Sequence, residues 1–595
     1  IWKGIDGSSV YACVPPTHFI TWNMPSQIQE NWEAYQDKET GGQTLNMYGY
    51  GDGGSGCTEE MLEMIRRFDK VSVMPKIEVT GGDAFLHKNL KDNTNLATWD
   101  GELYLEMHRG TFTTKSNLKK ANRTLEFKLR ETELRAALAS LTGTSYPSEE
   151  LTECYKKFLL NQFHDILPGS HIHPVYEDAM NDYRSVSERL DAMLALTAGN
   201  EYFNSLNFTR SSITFIEDEN GAITRHGVKG FWSIPTLAGL STGTVAALPS
   251  KENWLSTEFC DKCDCLVLET PYYRAKLSSD GSFVSLYDKE LDREWVKEGC
   301  GFNKLHLYAD NPGVYDAWDI LPNYKDVQVA LNVDKPLALV SSDGSSAEFA
   351  VTFTTEKSTW KMILRFFADS RAIEVENVVD WDEKHKLVKV NFGPDVLTRE
   401  LVCDTSAGFV KRDLTKNTSW QQARFEVCHH KWCDMSESGS GIAIINEGKY
   451  GVGLEKDEIS LSLLRATIRP DITSDIGHHD FCYTILPHSG DAVEAQVNKT
   501  AMEYNVPLCK SNVTVPAALR DTLNNCGLYL QAMKRSEDGQ YLILRLSEQD
   551  GRRGKIAFPF EVQTMNLIED IEGSTKVVSY HPFELITVAV KPEDL

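Results

Sequence analysis

The chain changes its hydrophobic rhythm once, near residue 200, and that change narrows the folds open to it. Before it, apolar residues recur every three or four positions, the spacing that gives a helix one apolar face. Leu118, Ala121, Leu125 and Leu129 make one stripe, and Leu151, Cys154, Tyr155, Phe158 and Leu159 a second. Tyr176, Ala179, Met180, Tyr183, Val186, Leu190 and Met193 make a third, closed by Gly199-Asn200. Short connections between them predict an antiparallel three-helix bundle within 96–200. Ser148 is the expected N-cap of the second helix, with Glu149 and Glu150 in its first turn and Pro168-Gly169 as its stop. Beyond residue 200 nearly everything reads as strand and turn, as at 265–269, 349–354, 442–445 and 541–546, with turns such as Ser279-Asp280-Gly281 between. This predicts a small β segment at 201–270, a large β-sandwich at 271–500 and a C-terminal β domain at 501–595. Ahead of the helices, 1–95 mixes strand-like pieces (10–14, 71–74, 76–79) with a helix at 58–68, an α/β texture. The whole is multidomain: α/β, then α, then β.

With 595 residues the chain is too long for one core. No apolar run is long enough to span a bilayer. A net charge of −25 argues against nucleic acid or an anionic membrane surface as the main partner. Thirteen cysteines without a disulfide-like spacing favour a reducing compartment. The chain opens Ile1-Trp2-Lys3-Gly4, which gives no basis for judging a targeting segment.

Four segments are candidates for chemistry. Asn161-Gln162-Phe163-His164-Asp165-Ile166-Leu167-Pro168-Gly169-Ser170 sets an imidazole beside a carboxylate at an expected helix C-terminus. The dipole there repels a carboxylate by a few tenths of a kcal/mol, so a cation or a hydroxyl partner is one reading; a capping histidine beside a solvated aspartate is the other. Gly49-Tyr50-Gly51-Asp52-Gly53-Gly54-Ser55-Gly56 formally fits G-x-G-x-x-G ahead of a helix that Thr58 can cap. Asp52 would repel a pyrophosphate, however, and Asn46-Met47-Tyr48 is a poor entry strand, which leaves a tight turn or a loop presenting Asp52 as an acid. Trp99-Asp100-Gly101-Glu102-Leu103-Tyr104-Leu105-Glu106-Met107-His108-Arg109-Gly110-Thr111 mixes aromatic faces with carboxylates, which suits a pyranose or an interface strand equally. Cys260-Asp261-Lys262-Cys263-Asp264-Cys265 resembles a thiolate knuckle but lacks a second Cys/His pair at finger spacing. The pairs His171/His173, His429-His430 and His478-His479 read as surface or packing residues.

Taken together these segments resemble glycoside hydrolase family 38, the α-mannosidases, in the cytosolic and bacterial branch. The motifs are the 161–170 segment, Glu102-Leu103-Tyr104-Leu105-Glu106 with His108-Arg109-Gly110-Thr111-Phe112-Thr113-Thr114, and Gly51-Asp52-Gly53-Gly54. The likeness continues in order through Asp316-Ala317-Trp318-Asp319-Ile320, Asn417-Thr418-Ser419-Trp420, Ala423-Arg424-Phe425-Glu426, Leu461-Ser462-Leu463-Leu464-Arg465, Asp475-Ile476-Gly477-His478 and Leu486-Pro487-His488.

The resemblance implies zinc-assisted, retaining hydrolysis of terminal α-mannosyl residues in mannose-containing oligosaccharides, in the cytoplasm. Residues 1–95 would be the C-terminal part of the catalytic β/α barrel. His164 would ligate Zn²⁺ (or cobalt in its place), and Asp165 would bond a sugar hydroxyl or orient the ligands. Asp52 would be the general acid/base, and Trp99 and Glu102 would line the sugar site. Self-association stays open. Family members carry a His-x-Asp pair and a nucleophilic aspartate upstream of the segment that aligns with Ile1, so the chain is expected to be a fragment. A lone histidine retains about 3–4 kcal/mol of zinc affinity, so the isolated fragment is expected to be inactive. The alternatives are a non-catalytic carbohydrate-binding protein and a nucleotide-dependent enzyme using the glycine loop.

Overall fold

The computed structural model describes every residue except His18, Phe19, Asp52, Gly53, Asp69 and Thr94, and the side chains of Leu90 and Asp92 are left aside. Residues 1–104 form one compact unit and residues 105–595 another.

In the first unit the helices are Pro25–Ala34, Lys38–Gly41, Glu59–Phe68 and Gly82–Asp92. Thr58 caps the third as expected: its Oγ1 accepts from the Met61 amide at 3.3 Å. Glu59 and Glu60 open that helix and Arg66 and Arg67 close it, the charge order its dipole favours. The strands among the described residues of this unit are two-residue pieces in the order Ser9–Val10, Trp2–Lys3, Trp99–Asp100, with Trp2 paired in parallel to Trp99. The strands expected at 71–74 and 76–79 are absent. Val73 is 86% exposed and Val79 60%, so no face is available for burial, and β-branched composition alone does not make a strand. The expected strand at 10–14 is reduced to Ser9–Val10.

The second unit begins with helices Ser116–Ser140, Ser148–Leu160 and His173–Ala195. The three predicted stripes meet in one core: Leu118, Leu125 and Leu129 pack with Leu151, Cys154 and Phe158 and with Ala179, Tyr183, Val186 and Leu190. The C-terminal half of the long helix Ser116–Ser140 serves a different core. There Leu134, Ala137 and Leu138 pack with Leu530, Met533, Leu544 and Val588 of a five-stranded sheet formed by residues 529–590.

Between these elements in sequence lie large sheets of β-sandwich type. A six-stranded sheet has Phe302–Ala309, Lys386–Phe392 and Ile459–Ala466 as consecutive antiparallel neighbours. A nine-stranded sheet carries Ile373–Trp381 beside Gly477–Ser489, also antiparallel. Their inner faces meet through aromatic rings: Phe302 on Phe392 at 5.6 Å, then Phe392 on Tyr483 of the nine-stranded sheet at 5.9 Å. The Tyr483 hydroxyl, buried there, donates to Asn303 Oδ1 at 2.6 Å. Among the described residues no helix is long and apolar enough to cross a membrane.

Candidate functional site

The helix that was expected to end at His164 stops at Leu160. Asn161 ends it, its side-chain amide donating back to the Lys157 carbonyl at 2.9 Å. The backbone then runs in tight turns, with Gln162 N to Leu159 O at 3.0 Å, Phe163 N to Leu160 O at 3.1 Å and Ile166 N to Phe163 O at 2.9 Å. His164 and Asp165 are therefore turn residues rather than the last residues of a helix, and the dipole argument for a partner weakens accordingly.

The turn is nevertheless built to hold Asp165. Its Oδ1 accepts from Ser170 Oγ at 2.6 Å and from the Trp318 indole at 3.2 Å. Its backbone carbonyl accepts from Ser170 N at 3.1 Å and lies 3.0 Å from His171 Nδ1. Burial lowers the pKa of His171, which favours the neutral imidazole, with Nδ1–H as donor to that carbonyl. Asp165 Oδ2 is left facing His164 Nε2 at 3.6 Å. The His164 side chain is 74% exposed and its ring lies 4.3 Å from that of Phe163. Gly169 adopts φ +85°, and a Cβ there would meet the Thr114 carbonyl oxygen at 2.5 Å. The glycine of the Leu-Pro-Gly-Ser run is thus required twice, by conformation and by space.

Lys119 of the long helix anchors the other side of this turn. Its ammonium reaches the carbonyls of Leu167 at 2.9 Å, Pro168 at 3.1 Å and Thr114. Burial lowers its pKa to about 7. Around it the sequence motifs converge from distant positions. Gly110 N donates to Trp318 O at 2.9 Å and Thr114 Oγ1 to Ala317 O at 2.9 Å. The Arg465 guanidinium bonds Asp310 at 2.5 Å and Thr114 at 3.2 Å, filling the space a Cβ on Gly110 would need. Arg109 donates to Ala423 O at 2.8 Å and stacks 4.5 Å over the Phe425 ring. Asp475 receives the Lys115 and Ser116 amides at 2.6 and 2.7 Å, capping the long helix with a carboxylate supplied from far along the chain.

The other predicted site residues fall in the first unit. Trp99 donates its indole N–H to the Glu102 carbonyl at 3.0 Å, and Trp2 donates to Gly101 O at 2.8 Å, giving two half-exposed indoles in register. Asp52 lies outside the described residues. Residues 42–50 contain no strand, so the glycine loop lacks the entry strand a dinucleotide site requires. Cys260 and Cys265 face each other across a hairpin, but they belong to no set of three metal-spaced side chains among the described residues. Of the histidine pair 429/430, His429 is buried and His430 half-buried, and burial lowers both imidazoles to about 3, as packing residues.

Sequence reasoning missed two things. Trp318 was visible within a motif, yet nothing in the sequence pointed its indole at Asp165. The group His226, Glu447 and Cys482, with donor atoms within 4.8 Å of one another, was not foreseen at all. The thirteen cysteines are all free thiols.

Four family models match the chain in order. They are the glycosyl hydrolases family 38 N-terminal domain over residues 1–102, the alpha mannosidase middle domain over 106–199, the glycosyl hydrolases family 38 C-terminal domain over 268–473, and the family 38 C-terminal beta sandwich domain over 527–588. Alpha-mannosidase 2C1 of Homo sapiens is 30% identical, over 92% of this chain and 55% of its own length. The alpha-mannosidase of Saccharomyces cerevisiae is 31% identical, over 85% of this chain and 47% of its own length. The chain thus spans about half the length of the curated relatives it matches. The crystal structure of an alpha-mannosidase from Enterococcus faecalis V583 superposes with a TM-score of 0.77 over 99% of this chain and 82% of that one, at 13% identity, a likeness of fold.

Proposed function

Because the chain belongs to glycosyl hydrolase family 38, we propose that it acts in a retaining, zinc-assisted α-mannosidase that removes terminal α-D-mannosyl residues from oligosaccharides. The observation that carries this reading is the His164–Asp165 turn. It presents an exposed imidazole beside a carboxylate oxygen, while the other carboxylate oxygen is fixed by Trp318 and Ser170. An exposed ring nitrogen next to an oriented oxygen fits a first-row divalent cation. On this reading His164 ligates the ion, and Asp165 holds either that imidazole or a sugar hydroxyl. When bound, the ion would engage the sugar's 2- and 3-hydroxyls and favour a distorted ring; zinc is assigned, with cobalt as a substitute. Asp52 delivers the proton to the leaving oxygen, and Trp99 and Glu102 contact the sugar, the indole face against its C–H groups.

By the same reading residues 1–95 correspond to the C-terminal part of the catalytic β/α barrel and 96–200 to the middle three-helix bundle. The β domains follow at 201–270, 271–500 and 501–595. The free thiols support a cytoplasmic setting. The test is turnover of an aryl α-mannoside, with and without added Zn²⁺, by the native protein containing this chain and by its Asp52→Asn and His164→Ala variants. The expected result is turnover that falls at least ~100-fold in either variant, with His164→Ala also losing its response to zinc. Unchanged turnover in both variants overturns the residue assignments. Mannose binding without any turnover would establish a carbohydrate-binding protein instead.

A further inference from the structure

Away from the His164 turn, the hairpin formed by Ile223–Arg225 and Val228–Ser233 pushes its tip into the edge of a polar cluster on the nine-stranded sheet. The tip residue His226 has left-handed backbone (φ 51°), and its amide is fixed by Glu376 at 2.7 Å. Glu376 is the direct cross-strand partner of Cys482. His226 Nδ1 lies 3.0 Å from Asp480 Oδ2, and its Nε2 lies 2.7 Å from Glu447 Oε1 and 3.4 Å from Cys482 Sγ. We propose that His226, Glu447 and Cys482 form a binding site for a thiophilic divalent cation such as Zn²⁺. The inference is independent of the hydrolase reading.

Three features of the geometry support it. First, with Zn–N near 2.0–2.1 Å and Zn–S near 2.3 Å, a tetrahedral ion separates its nitrogen and sulfur ligands by about 3.5 Å. The observed 3.4 Å is already at that spacing. A nitrogen and an oxygen on the same ion sit about 3.3 Å apart, so Glu447 retreats by about half an ångström when an ion replaces the proton on Nε2. Second, the outer partners of a metal site are in place. Asp480 Oδ2 lies 3.0 Å from Nδ1, on the far side of the ring from Nε2, the nitrogen that faces Glu447 and Cys482. Arg225 steadies the other Glu447 oxygen at 3.2 Å. Third, the charges around the three residues are held in place by partners of their own: Glu374 and Glu376 on Arg365, Glu374 also on Arg225, Asp480 on Lys120, with the Tyr504 hydroxyl on Arg225.

The Cys482–His226–Asp480 order also resembles a thiol nucleophile with its base, but Cys482 is fully buried and its pKa is raised, the opposite of what a nucleophile needs.

The test is a Co²⁺ titration of the chain followed by absorption. Cobalt at this site gives a thiolate-to-metal charge-transfer band, which an imidazole–carboxylate site such as the His164 turn does not. The expected result is one equivalent of Co²⁺ with that band, displaced by Zn²⁺. The band should vanish in Cys482→Ser and persist in His164→Ala. Should Cys482→Ser fail to fold, His226→Gln at the hairpin tip replaces it and must weaken cobalt binding at least ~10-fold. The proposal is overturned if no charge-transfer band forms at millimolar Co²⁺, or if the band survives both Cys482→Ser and His226→Gln.

Discussion

Lys119 and Gly169 show how single residues hold the His164–Asp165 turn. Lys119 gathers three carbonyls, and replacing it by methionine strips all three of their donor. We expect Lys119→Met to lower unfolding stability by about 2–3 kcal/mol and to speed amide exchange across 161–170. The depressed pKa adds a second signature. Between about 7 and the ordinary 10.5, the unfolded chain holds a proton that the native Lys119 has lost, and burial lowers Lys449 to about 7 as well. Stability therefore rises with pH across that window, and urea titrations at pH 7 and 9 should show a smaller rise in Lys119→Met than in the parent. Gly169→Ala forces a Cβ toward the Thr114 carbonyl at φ +85° and should cost about 1–3 kcal/mol by thermal unfolding. Of this scale the sequence showed the His164-Asp165 pair and the Pro168-Gly169 stop, because both are local. Trp318 over Asp165 was hidden, since 153 residues separate them and no spacing rule connects a turn to an indole that far away. The same holds for His226, Glu447 and Cys482, which come from a hairpin tip, a loop start and a strand.

At the scale of elements, the apolar stripes located the helices because a helix writes its own burial pattern into the sequence. Leu118, Leu125 and Leu129 all reached the shared core. The pieces at 71–79 failed because a strand is defined by its neighbours, which no local run of residues names. The helix expected to reach His164 ended early because Asn161 satisfies the Lys157 carbonyl with its own side chain, a competition that periodicity does not register. The polar side of the long helix carries a testable cost. Glu133 is buried beneath the Tyr155 hydroxyl, 3.1 Å away, and burial raises its pKa to about 7 despite Lys534 nearby. Between its ordinary 4.5 and about 7, the native chain keeps a proton that the unfolded chain has lost. Stability thus falls as pH climbs through that window. Glu133→Gln keeps an acceptor for Tyr155 without the charge. It should raise stability at pH 8 by about 2–3 kcal/mol and do little at pH 4, as read from paired denaturant titrations.

For residues 105–595 as a whole, the helix Ser116–Ser140 belongs to two cores at once: Leu125 to the helical one, Leu134 to the one beneath the C-terminal sheet. Leu125→Ala and Leu134→Ala should each cost about 2–5 kcal/mol. Calorimetry should show both shifting one and the same transition; two separately moving transitions would mean that the cores melt independently. The Asp475 cap on that helix has a further consequence for how the molecule is made. The carboxylate that closes the helix's first turn lies 360 residues after Lys115, and the sheet that covers its last turns is later still. At roughly 5–20 residues per second, a ribosome needs about 20–70 s to deliver that cap after the helix has emerged. Through that interval the nascent chain carries an uncapped helix with an apolar flank exposed to solvent. Stalled chains ending near residue 300 should be cut by protease within 116–140, and chains released at full length should resist.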